Sequence, residues 1–179
     1  MDGAGFVLMR WWCSRLAVLC LLVAAPASGA AQDVQTDRLR VWLEAGPMFG
    51  AASGPDVNTG GALHLRVQRS RHRFGLRMLA LGDATSSSSD ALGELALLYG
   101  RGVGSRTAFL AISAGPGLVA ADGCGDASAI SCDGFGLSVV AEAGVHTRLL
   151  GIGLQAFGSV NSVAAYGGLG LTLLLGWMP

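Results

Sequence analysis

The feature that most constrains this chain is an alternation of apolar with small or polar residues, period two, repeated over eight segments from residue 40 onward. In segment 168–177, Leu169, Leu171, Leu173, Leu175 and Trp177 hold one parity, and Gly168, Gly170, Thr172 and Gly176 hold the other. A period of two sends successive side chains to opposite faces of a β-strand, so each segment carries one apolar face. The pattern recurs at 40–49, 61–68, 73–81, 91–100, 107–118, 135–145 and 149–157. Leu79 and Leu81 blur it in the third of these, and in 107–118 Pro116 predicts an early exit from the hydrogen-bonded ladder.

The chain has 179 residues, 51% hydrophobic and 13% charged, with a formal net charge of +0. That composition excludes disorder, which needs low hydrophobicity and high charge, and the charge balance excludes a basic nucleic-acid binder. Segments of roughly nine to eleven residues with one apolar face suit strands tilted across a bilayer, and an even number of them closes into a ring with no unpaired edge in lipid. The predicted fold is all-β, an eight-stranded antiparallel up-and-down transmembrane barrel. Connections after odd segments are long (50–60, 82–90, 119–134), with 158–164 intermediate; those after even segments are short (69–72, 101–106, 146–148). Long loops on one side and tight turns on the other are the asymmetry of outer-membrane barrels.

Residues 1–31 read as a cleaved signal peptide. Arg10 and Arg15 supply its positive start and 16–25 its apolar stretch, and the small residues that follow place cleavage after Ala30 or Ala31. Residues 32–37 form a short linker, and 38–179 the barrel. Cys13 and Cys20 leave with the leader. Cys124 and Cys132 remain in a polar stretch, where an oxidising compartment favours a local disulfide over two free thiols. Two thiolates without a nearby histidine are too few ligands for a metal.

Charge is sorted in the same way. Glu44, Glu94 and Glu142 fall on the parity opposite the leucines, as do His64, Arg66 and Arg77. A charge facing lipid at the bilayer midplane costs about 2–4 kcal/mol, so these six are expected inside, paired with one another in a barrel just wide enough for its own side chains. All aspartates after the leader are expected outside the strands, chiefly in the long connections (Asp56, Asp83, Asp90, Asp122, Asp126, Asp133). Arg69, Arg71, Arg73, Arg101, Arg106 and Arg148 sit in or beside the short turns. Phe49, Phe74, Tyr99, Phe135 and Trp177 share the apolar parity near segment ends, where interfacial girdles form. Trp42, Phe109, Phe157 and Tyr166 have the inward parity.

Through Glu44-Ala45-Gly46-Pro47, Leu97-Leu98-Tyr99-Gly100-Arg101, Ser113-Ala114-Gly115-Pro116-Gly117, the run from Gly153 to Asn161 and the alternation at 168–177, the chain resembles the small eight-stranded outer-membrane barrels of the OmpX and OmpA membrane-domain type. The resemblance implies a place in the outer membrane of a Gram-negative-type bacterium, contact with its lipid, and insertion by the barrel-insertion machinery. It also implies a structural or surface-interaction role, with the extracellular partner unspecified. One departure is the end of the sequence, Trp177-Met178-Pro179, where such barrels usually finish on an aromatic residue.

No catalytic, cofactor or metal residues are assigned. Gly115 to Ala120 and Gly151 to Ala156 match G-x-G-x-x-A, but neither joins a strand to a helix in a βαβ unit. Of the three histidines, His64 reads as a packed interior group, while His72 and His146 lie by short turns; Ser86 to Ser89 read as a loop tip. The competing readings are a small pore, a lipid-modifying barrel enzyme, a helical membrane protein with a span near 162–178, and a soluble periplasmic barrel whose leucines point inward around a ligand.

Overall fold

The computed structural model describes residues 39–53, 57–83, 91–122 and 132–177. The leader, the linker and Cys124 lie outside them. The described chain forms β1 (Leu39–Ala52), β2 (Thr59–Arg69), β3 (His72–Gly82), β4 (Ala91–Gly104), β5 (Ala108–Ala121), β6 (Cys132–His146), β7 (Leu150–Asn161) and β8 (Ala165–Trp177). Each strand pairs antiparallel with its neighbour in sequence, and β8 returns to β1, so the sheet is a closed barrel. There is no helix among the described residues.

Register explains why the leucine parity matters. Leu154 of β7 lies opposite Leu171 of β8, Ile152 opposite Leu173, and Leu173 in turn opposite Ala45 of β1. Apolar residues therefore stand side by side from strand to strand and build a continuous outer belt. Leu173 is 59% exposed and Phe135 66%, while Glu44 is 2% exposed and Arg66 0%. A soluble barrel around a ligand would show the reverse, because water and not hydrocarbon would face its outer surface. All nine aromatic side chains of the barrel follow their parity: Phe49, Phe74, Tyr99, Phe135 and Trp177 are exposed, Trp42, Phe157 and Tyr166 are buried, and Phe109 is half-buried.

The inside is filled. Met48, Leu79, Leu81, Leu92, Val119 and Phe157 belong to an apolar cluster toward the long-loop end, and Trp42, Leu174 and Phe109 to a smaller one toward the short turns. Leu79 and Leu81, which blurred the alternation of β3, are inward members of the larger cluster.

Three local expectations change. Pro116 does not end its strand; β5 runs on to Ala121. Pro116 keeps its place opposite Leu137 of β6, and the pairing is interrupted only toward β4, between Tyr99↔Ala114 and Ala96↔Gly117. A proline lacks one donor, so it disturbs the ladder on one side and not on both. Pro47 repeats the arrangement: it lies opposite Gly61 of β2, and the pairing with β8 skips from Ala45↔Leu173 to Met48↔Gly170. The fourth loop on the long side spans only 162–164, because Asn161 Oδ1 accepts hydrogen bonds from the backbone N–H of Val163 and Ala164 at 2.8 and 2.9 Å and turns the chain at once. Asp133 lies inside β6, exposed at its long-loop end, since pairing with β5 extends that strand to Cys132.

In both interruptions a glycine precedes the proline. A Cβ on Gly46 would collide with the Leu171 carbonyl oxygen, and one on Gly115 with that of Leu97. The neighbouring backbone can come so close only because no side chain is there. Gly115→Ala should therefore destabilise the barrel by about 1–3 kcal/mol, the usual range for forced overpacking. Gly93→Ala, where the new atom meets only Ala120 O at 3.9 Å, should stay within about 0.5 kcal/mol of the parent. Urea unfolding followed by heat-modifiable gel migration measures both.

Candidate functional site

The barrel encloses a buried ionic layer. β1 contributes Glu44, β2 His64 and Arg66, β3 Arg73 and Arg77, β4 Glu94, β6 Glu142 and β7 Gln155, all buried. In strands these positions are reached by the parity opposite to the lipid-facing leucines, so one pattern builds the belt and the layer together.

Two groups divide the layer. In the first, Arg73 bridges two carboxylates: its Nη2 is 2.9 Å from Glu44 Oε1 and its Nη1 2.8 Å from Glu142 Oε2. Arg66 donates to Glu142 Oε1, and its Nε lies 3.6 Å from Glu44 Oε2. Trp42 Nε1 donates to Glu44 at 2.6 Å, and Gln155 Nε2 donates to Glu142 at 3.0 Å. The guanidinium of Arg73 also lies over the rings of Trp42 and Phe109, 4.7 and 4.9 Å from their centroids, where the negative ring faces favour a cation. His64 Nδ1 is 2.6 Å from Arg66 Nη2. A guanidinium only donates, so Nδ1 accepts and His64 is the neutral tautomer with its proton on Nε2. In the second group Arg77 donates to Glu94 Oε2 at 3.0 Å, Ser138 donates to Glu94 Oε1, and Phe157 lies under the Arg77 guanidinium at 4.7 Å.

The layer therefore holds three guanidiniums against three carboxylates. Parity reading placed Arg66, Arg77, His64 and the glutamates here but grouped Arg73 with the turn arginines. Arg73 is wholly buried, and like Arg66 it touches both Glu44 and Glu142. The signal was its shared parity with Arg77, four residues along the same strand.

Glu44, His64 and Glu142 place ligand-type atoms within 4.8 Å of one another. The oxygens that a metal would use are already held by Arg66 and Arg73, and two fixed cations in the same cluster repel a third. The donor set thus suits guanidinium and not a metal ion. Nor do the described histidines form a nucleophile–base pair: His64 meets Arg66 and Gln155, His72 meets the Tyr99 hydroxyl at 2.8 Å on the outer face, and His146 meets the Thr147 carbonyl. Cys132, at the start of β6, is disulfide-bonded.

No protein-family model and no curated protein sequence matches the chain. Solved structures do. Neisserial surface protein A superposes with a TM-score of 0.63 at 11% identity, over 75% of this chain and 96% of its own. Ail, the attachment invasion locus protein of Yersinia pestis, superposes with a TM-score of 0.57 at 12% identity, over 77% and 97%. The same protein in complex with the heparin analogue sucrose octasulfate gives 0.58 at 12% identity, over 78% and 98%. The fold is that of the small eight-stranded outer-membrane barrels. Its neighbours span nearly their whole length on this barrel, so the alignment covers the ring and not a fragment of it.

Removing one partner from a buried ion pair leaves an uncompensated charge and typically costs about 3–5 kcal/mol. Arg73→Met should lower unfolding stability by that amount, and adding Glu142→Gln should recover part of it, because the second change removes one of the two stranded carboxylates. Equilibrium unfolding of the single and double variants in detergent gives the coupling directly.

Proposed function

We propose that the protein is an outer-membrane barrel that anchors and displays surface loops, and that it is neither an open conduit nor an enzyme. The observation that carries this reading is the pairing of a lipid-suited outer belt with an interior closed by its own neutral ionic layer. An eight-stranded ring leaves space for side chains only, and here Arg66, Arg73 and Arg77 occupy it at full burial. Each candidate carrier of a current, Glu44, Glu94 or Glu142, already has a guanidinium partner. The fold likeness supports the setting, and the barrel-insertion machinery is the route by which such a ring would enter the membrane.

The displayed end is acidic. The connections 53–58, 83–90, 122–131 and 162–164 carry Asp56, Asp83, Asp90, Asp122 and Asp126 with no arginine, lysine or histidine. Asp133 adds to them from the end of β6. The sulfated sugar bound to Ail is a polyanion, and nothing in these loops would recognise one. The partner that fits them is cationic or uncharged. Cys124 is the proposed partner of Cys132, since it is the sole other cysteine after the leader, and the bond would close the longest of the connections.

Two measurements check the reading. The purified barrel in planar bilayers should give no single-channel steps; regular steps abolished by Glu142→Gln would establish a pore instead. An epitope inserted at Ser87 should be antibody-accessible on intact cells, and the same epitope at Ser105 should become accessible only after the outer membrane is permeabilised.

A further inference from the structure

The short-turn end of the barrel has the opposite electrostatic character. Arg69, Arg71, Arg101, Arg106 and Arg148 are all exposed there. Three of the five point outward toward the surrounding bilayer. Arg69 continues the outward parity of Leu63 and Leu65, and Arg101 continues that of Leu97 and Tyr99. Arg148 lies over the exposed Trp177 ring, 4.5 Å from its centroid.

Aromatic residues fix the depth of these groups. Tyr99 packs on Phe74 with ring centroids 5.1 Å apart and meets His72, forming one cluster of the girdle, and Trp177 forms another. Tyrosine and tryptophan settle at the headgroup boundary, so arginines one step beyond them reach the phosphates. The chain has no lysine at all; each of its 12 Lys+Arg residues is an arginine. Guanidinium grips a phosphate in two-pronged fashion, and ammonium acts as a point charge.

We infer that this arginine rim binds the phosphate groups of anionic glycerophospholipids in the leaflet around the short turns. The inference rests on the outer-membrane reading above and adds a lipid class to it. The opposite rim does not share the property: Asp133 is outward there beside Phe135, so the two leaflets meet surfaces of opposite sign. The barrel is thereby oriented by charge as well as by loop length.

The test uses the whole barrel refolded into vesicles of phosphatidylcholine alone, or of phosphatidylcholine with one part in about three of phosphatidylglycerol, a fraction large enough for the surface attraction to act. The thermal midpoint of the parent should rise by several degrees in the anionic vesicles, and the rise should vanish in molar salt, where exposed charges are screened. The triple variant Arg101→Gln, Arg106→Gln, Arg148→Gln should lose most of the rise, and the triple lysine variant should keep an intermediate share. Asp122→Asn with Asp133→Asn should keep all of it. A rise that is absent in the parent, survives molar salt, or is undiminished in the glutamine variant would overturn the inference. So would an equal rise produced by inorganic phosphate in neutral vesicles, which would make free phosphate the ligand. Failure of the parent to insert into either vesicle would instead overturn the outer-membrane reading, so the two failures are separable.

Discussion

Hydrocarbon offers a backbone N–H or C=O no partner, and each one left unpaired there costs several kcal/mol. Closure of β8 onto β1 removes the two edges that an open sheet of this chain would expose. Everything else follows from that ring. Once the strands are closed, one parity must meet lipid and the other must fit a narrow interior, so a leucine and its neighbour in sequence face opposite solvents. The apolar belt and the buried ionic layer are two readings of one alternation.

The interior shows how a small ring handles buried charge. Arg66, Arg73 and Arg77 are matched by Glu44, Glu94 and Glu142, and uncharged polar groups add to these pairs: Trp42 and Gln155 donate to the carboxylates, His64 accepts from Arg66, and Ser138 donates to Glu94. A surplus of either sign would leave an ion desolvated and unpaired, which is the costly state. Aromatic faces at Trp42, Phe109 and Phe157 add contact to the guanidiniums that bonds alone do not supply. Among the described residues the rims carry opposite signs, exposed arginines at the short-turn end and Asp122 and Asp133 at the other, so charge is separated along the barrel.

Strand identity was legible in the sequence wherever parity was strict, as in the leucines of β8 and the glutamate positions of β1, β4 and β6. It failed where local chemistry and pairing disagree. Pro116 reads as a stop because its ring removes a donor, yet the partner on its other side, β6, holds the strand straight. The brevity of the 162–164 connection depends on the Asn161 side chain folding back on the next turn, which no alternation reveals. Arg73 stands beside a short turn like the exposed arginines, and only its shared parity with Arg77 marks it as an interior group. The ion pairs themselves were not legible, because Glu44 and Arg73 lie 29 positions apart and Arg66 and Glu142 76. Which of them meet is set by the stagger of the strands around the ring, and that is a property of closure, not of any single segment.

The two Ala-Gly-Pro steps fall on β1 and β5, and the pairings they interrupt are β8 with β1 and β4 with β5. Those two seams divide the ring into equal arcs of four strands, β1 to β4 and β5 to β8. At each seam the backbone seal is thinned at one point. The contacts of Arg66 and Arg73 with Glu142, and of Glu94 with Ser138, run from one arc to the other across the lumen. The ionic layer is therefore a set of cross-ties: where the wall gives up hydrogen bonds, the contents of the barrel hold its two halves together.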